Sequence, residues 1–140
     1  MHLKNKENNK LSLRRAKKDS KKDNTIHVAS YDLEKILTTP QAEIGPLYYM
    51  SKLNVWNFTI YDLTAHNGYC YLWNKTVGKR GSTEIASYLM NYYYKVLQDN
   101  PNITEIRTFS DNCGGQNKNQ NVFSMNLLLA TKLKIKIRQT

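Results

Sequence analysis

Between Val55 and Asp62 the chain alternates without interruption: Trp56, Phe58 and Ile60 fall on one side of an extended backbone, and Asn57, Thr59 and Tyr61 on the other. A period of two with side chains this large demands a sheet with one buried and one polar face, because a one-residue slip would turn three bulky apolar groups into water. His66, Asn67 and Gly68 supply a turn, and Tyr69 to Trp73 is a second run of β-favouring residues, so the two pair as an antiparallel hairpin. In a chain of 140 residues this leaves room for one core, hence one domain.

The remaining elements follow from period and punctuation. Ile26 to Leu33 reads as a mostly apolar strand ending in Tyr31, Asp32 and Leu33, followed by a connection marked by Pro40, Gly45 and Pro46. After Gly78 and Gly81, Ser82 or Thr83 can cap a helix with Glu84 in its first turn, where the helix dipole favours a negative charge. Ile85, Leu89, Tyr92, Tyr93 and Val96 recur at three- and four-residue steps, and Asn100 and Pro101 end the helix. The triplet Tyr92, Tyr93, Tyr94 could stack bases, but at helical spacing it reads first as core and rim. Ile103 to Ser110 is a further strand ending at Asp111, and a helix over Asn121 to Thr131 turns Val122, Met125, Leu128 and Leu129 inward. Leu133, Ile135 and Ile137 then alternate with Lys134, Lys136 and Arg138 as a lysine-guarded edge strand.

Charge divides the chain differently. Residues 1–24 carry 9 basic and 3 acidic groups, residues 25–111 carry 7 and 8, and residues 112–140 carry 5 and none. Arg14, Arg15, Lys17, Lys18, Lys21 and Lys22 accompany only Leu11, Leu13 and Ala16, which suits a basic helix or tail over 1–24 ahead of a folded 25–140. Basic ends favour a polyanion, nucleic acid before membrane since neither end has a broad apolar face; a solvated tail or a nuclear-import signal gives the same pattern. Runs without a polar residue, such as Tyr69 to Trp73, are far too short to span a bilayer. No apolar leader follows the N-terminus, so Cys70 and Cys113 are expected as thiols, and with His2, His27 and His66 they lack zinc-site spacing.

Two strands thus end in a carboxylate. If they lie side by side and parallel, Asp32 and Asp111 meet at the carboxyl edge of an α/β sheet, where such folds place their sites, and a cation must offset their repulsion. Mg²⁺ suits carboxylate and phosphate oxygens. Taken singly, each Asp also reads as a surface or capping residue. In the loop after Asp111, Gly114 and Gly115 would let backbone amides approach a phosphate while Gln116, Asn117 and Lys118 contact a nucleic-acid backbone; the same residues could equally satisfy local backbone groups and cap the next helix.

The order strand, strand, strand, helix, strand, helix, strand with these two Asp residues resembles the ribonuclease H-like fold of DDE transposases and retroviral integrases. The strings FSDNCGGQNKN (Phe109 to Asn119), YDLEKIL (Tyr31 to Leu37) and RGSTEIASYL (Arg80 to Leu89), with the hairpin ending at Trp73, are similar to an uncharacterised transposon-derived family abundant in insects and other animals, from about Ile26 onward. The resemblance implies an α/β, ribonuclease H-like mixed sheet, Asp32 and Asp111 as the first and second catalytic acids and metal ligands, Mg²⁺ as cofactor, and DNA as partner.

The chain departs from that pattern in one respect: the superfamily's third Asp or Glu lies beyond the fifth strand, and no acidic residue follows Asp111. A fragment, a truncated gene model and a decayed copy would all read this way. The expectation is a partial DDE-type transposase-like domain, located in the nucleus or otherwise the cytoplasm, that binds nucleic acid without completing catalysis. The alternative is a domesticated, non-enzymatic nuclear interaction or nucleic-acid-binding module. The sequence leaves oligomeric state open.

Overall fold

The hairpin around Trp56 forms one flank of a mixed sheet in the computed structural model, which describes residues 2–34, 36–39, 45–48, 52–79, 81–110 and 119–140. The elements are α1 (His2–Lys22), β1 (Ile26–Leu33), β2 (Leu37–Thr39), the single turn α2 (Gly45–Tyr48), β3 (Leu53–Asp62), β4 (Asn67–Asn74), α3 (Ser82–Asp99), β5 (Glu105–Ser110), α4 (Gln120–Leu133) and β6 (Lys136–Gln139). β3 pairs with β4 from Val55↔Asn74 to Asp62↔Asn67. Its other edge takes β1, antiparallel, and then β2. Leu33 faces Phe58 while Leu37 faces Val55, so four steps on one side match three on the other. β1 continues the sheet with β5 in parallel, and β5 with β6 in parallel. Across the sheet the order is β4-β3-β1-β5-β6, and β3 alone of these runs against the others.

Alternation decides what each face does. Trp56, Phe58 and Ile60 of β3, Trp73 of β4 and Ala29, Tyr31 and Leu33 of β1 pack under α3 and α4, meeting Ile85, Leu89, Tyr92, Tyr93, Val96, Val122 and Leu129. Tyr92 and Tyr93 are fully buried there, while Tyr94 points out, so the tyrosine triplet is chiefly core. Tyr71 stacks on Tyr88 at 4.8 Å, and the Trp73 indole N–H donates to the Lys79 carbonyl at 3.0 Å. Tyr and Trp fit such a layer because each has an apolar body with a polar tip that finds a partner or the rim.

The opposite face is only partly covered. The basic N-terminal segment is helix α1, which lays Leu13, Ala16 and Ser20 onto the sheet; Ala16 packs with Val28 and Leu63, flanked by Ile26 and Phe109. Small residues at 16 and 20 let the helix approach closely. Asp19 Oδ2 pairs with the Arg107 guanidinium at 2.7 Å, Arg107 with Glu105 at 2.8 Å, and Glu105 with Arg138 at 3.0 Å. The guanidinium hydrogen bond from Arg107, with further help from nearby charges, holds the Glu105 carboxyl below its ordinary range.

Four local expectations are corrected, the first being Leu128 of α4, which is exposed while Asn126 takes the inward position. The hairpin turn is Leu63–His66 rather than His66–Gly68, because Asp62 Oδ1 accepts from the amides of Thr64 and Ala65 and closes the loop early; His66 takes the left-handed conformation at φ 59°. The N-cap of α3 is Gly81, not Ser82 or Thr83, and Glu84 reaches back to accept from the Lys79 amide at 2.8 Å. Leu133 belongs to α4: Lys134 turns left-handed (φ 53°) to end the helix, so the last strand begins at Lys136.

Candidate functional site

Asp32 owes its position to the sheet. Tyr31 of β1 lies opposite Ser110 of β5 in parallel register, and Asp32 is the next residue along, at the carboxyl end of β1. Tyr31 is buried toward α3 and α4; by alternation Asp32 faces the other way, exposed, on the side that carries α1. The expected second acid, Asp111, follows Ser110 in the chain but lies outside the described residues, as do Gln116, Asn117 and Lys118.

Asp32 lines a shallow cavity of about 340 Å³ with Glu34, Thr59, Tyr61, Phe109 and Ser110. Glu34 is not among the acids that the sequence singled out. It lies one pleat beyond Asp32, and its backbone N–H still bonds the Asn57 carbonyl at 2.9 Å, which keeps it against β3. Its Oε2 accepts from Asn57 Nδ2 at 2.9 Å and its Oε1 from the Thr59 hydroxyl at 3.1 Å. Each oxygen retains a lone pair, so the carboxylate is oriented without being used up. The signal was present in the polar face of β3: Asn57 and Thr59 are the alternate residues that Trp56, Phe58 and Ile60 leave outward. Finding it required the β1–β3 register, in which Asp32 faces Thr59.

Asp32 and Glu34 are two steps apart on one face, about 6.6 Å along a strand. Both supply hard oxygen donors, the kind Mg²⁺ takes, and a neutral hydroxyl stands beside them. Among the described residues no three His, Cys, Asp or Glu side chains form a metal-sized group.

The basic helix lies on the same side of the sheet as this cavity. Phe109 belongs both to the cavity wall and to the apolar contact beneath α1, so helix and acids share one face. With Leu13, Ala16 and Ser20 turned inward, Arg14, Arg15, Lys18, Lys21 and Lys22 are exposed, while Lys17 lies half-buried at the boundary. Lys21 and Lys22 occupy the last turn, where the helix dipole favours positive charge.

A second polar cluster is sealed inside. His27 Nε2 lies 2.8 Å from the Tyr92 hydroxyl and 3.7 Å from Asp62 Oδ2, joining β1, α3 and β3. Burial pushes the His27 pKa below its ordinary value, outweighing the pull of the Asp62 carboxylate, and burial likewise raises that of Tyr92. Asp62 stands opposite Ala29, three residues back along β1 from Asp32 and on the other face, so it does not join the acidic cavity.

The comparisons with known proteins give no match: no family model, no curated protein and no solved structure resembles this chain closely enough to be assigned.

Proposed function

We propose that this chain is a ribonuclease H-like domain of the DDE transposase type that binds nucleic acid across the face shared by α1 and the Asp32 cavity, and that by itself it does not complete strand cleavage. The observation that carries the reading is the shared face: a docked helix whose exposed residues include Arg14, Arg15 and Lys18, on the same side of the sheet as two carboxylates at the carboxyl end of β1. β1 and β5 are parallel neighbours, the arrangement that would bring the carboxyl ends carrying Asp32 and the chain-adjacent Asp111 together, and this supports the fold reading. α1 would track phosphates, while Asp32, Glu34 and the chain-adjacent Asp111 would hold a hydrated Mg²⁺. When bound, such an ion neutralises a backbone phosphate and activates water. Asp32 and Glu34 at the end of β1 with the chain-adjacent Asp111 would leave a second ion without ligands on its far side, and residues 112–140 hold no acidic group to supply them.

Fluorescence anisotropy with a labelled duplex tests the binding. Each phosphate neutralised on B-DNA contributes about 0.9 to the slope of log affinity against log salt. Arg14→Glu, Arg15→Glu and Lys18→Glu together are expected to lower that slope by about 2 to 3. Substitution is preferable to deleting residues 1–24, which would strip the cover from Val28 and Leu63. Affinity that ignores both salt and the triple variant refutes the reading. Mg²⁺- or Mn²⁺-dependent cleavage abolished by Asp32→Ala would show that the site is complete.

A further inference from the structure

A second surface lies on the other side of the sheet, separate from the Asp32 cavity. Between α4 and β6 runs a groove of about 670 Å³, walled by Phe123, Leu127 and Ala130 of the helix and Ile137 of the strand. Phe123 is 68 % exposed and Leu127 60 %, high values for large apolar side chains four residues apart on one helix face. β6 is the last strand of the sheet, and among the described residues no strand covers its outer edge. Lys136 and Thr140 donate their backbone N–H groups inward, to Thr104 and Thr108, so in a parallel ladder the backbone of Ile137 between them faces outward.

The two faces of this edge ask for different chemistry. On the α4 side the next strand position looks into the groove, toward Phe123, Leu127 and Ile137. On the other side stand the exposed Lys136 and Arg138, the latter already paired with Glu105, and residues 112–140 contain no acidic group. We infer that the α4–β6 groove and edge receive an extended partner segment of alternating apolar and acidic residues, which adds as a strand to β6, places its apolar side chains against Phe123 and Leu127, and turns its carboxylates toward Lys136. A second copy of this chain fits less well. Two-fold antiparallel pairing of β6 with both α4 layers on the same side sets Lys136 and Arg138 of one copy against the same residues of the other, and like charges directly opposite are destabilising. Asn126, 9 % exposed in the groove wall, leaves its Oδ1 without a hydrogen-bond partner among the described residues, a buried acceptor in a lining that sets Asn119, Gln120 and Gln139 beside the apolar side chains.

The test uses the full chain and three fluorescein-labelled heptapeptides: Glu-Val-Glu-Ile-Glu-Val-Glu, its Lys-for-Glu counterpart, and a reordered peptide of the first composition without alternation. Saturable binding of the first, at least tenfold tighter than the other two, is expected. Leu127→Glu, at an exposed position, should weaken it at least tenfold, and Lys136→Glu should shift preference toward the Lys peptide. Absence of saturable binding, equal binding of the reordered or Lys peptide, or indifference to Leu127→Glu would overturn the proposal. So would sedimentation equilibrium showing a dimer of the unliganded chain that Leu127→Glu dissociates, since the occupant would then be a second copy.

Discussion

Acidification below the ordinary imidazole pKa should destabilise this protein through His27. His27 is buried against Tyr92, and burial lowers its pKa from the ordinary value of 6.5 despite Asp62 at 3.7 Å. The folded state therefore keeps the imidazole neutral in a range where the unfolded chain takes up a proton. Stability is fully present above the unfolded value and is lost as pH falls from 6.5 toward the lower folded value. One proton sets the ceiling on the slope, about 1.4 kcal/mol per pH unit. For a domain of this size that corresponds to a fall in Tm of about 4 °C per unit. Trp56 and Trp73, both in the core, report unfolding by fluorescence, so urea titrations at pH 7.5, 6.5 and 5.5 suffice. His27→Gln keeps a hydrogen-bonding group near the Tyr92 hydroxyl but cannot titrate, and it should flatten the dependence between pH 7 and 5.5. A slope that persists in His27→Gln, or a wild-type protein that gains stability on acidification, would refute the argument; the latter would mean that the Asp62 carboxylate prevails over burial.

Glu105 produces a separate acid limb: its pKa is lowered mainly by the Arg107 hydrogen bond, so its contribution is lost only as pH falls below its ordinary value of 4.5, and Glu105→Gln should blunt that limb in the same urea series. Phe58→Ala removes a fully buried ring that touches Tyr31, Tyr71 and Tyr88 and should cost about 3 to 5 kcal/mol in urea denaturation. Asp19→Asn weakens the 2.7 Å pair that fastens α1; because Asp19 is half exposed, global stability should change by under about 1 kcal/mol, with faster amide hydrogen exchange confined to α1.

The legible parts of this fold were those in which large residues repeat at a fixed period. Trp56, Phe58 and Ile60 specified β3, and Ile85, Leu89, Tyr92, Tyr93 and Val96 specified the inner face of α3. β2 escaped notice because three residues, Leu37–Thr39, carry no period and exist as a strand only through β3. α1 was legible as a basic helix or tail but its docking was not, because it packs through Ala16 and Ser20, whose burial leaves little hydrophobic signal. The start of β6 was misplaced by two competing patterns: Leu133 completes the helical period of α4, and the left-handed turn at Lys134 could not be anticipated for a lysine. At the site, Asp32 could be located from its strand alone. Glu34 could not, since its orientation depends on Asn57 and Thr59, more than twenty residues away in the chain and adjacent only through pairing. Asp111, Gln116, Asn117 and Lys118 fall outside the described residues, so their part in the site rests on the sequence.

The central claim is that α1 and the Asp32 cavity form one nucleic-acid face. The most direct measurement is an amide-resolved NMR titration of the ¹⁵N-labelled chain with a short DNA duplex in Mg²⁺. The account predicts shifts along α1 at Arg14, Arg15 and Lys18, continuing through Ser30, Asp32, Glu34 and Thr59, with α4 and β6 unmoved. Shifts confined to the α4–β6 side, or none at low salt, would contradict it.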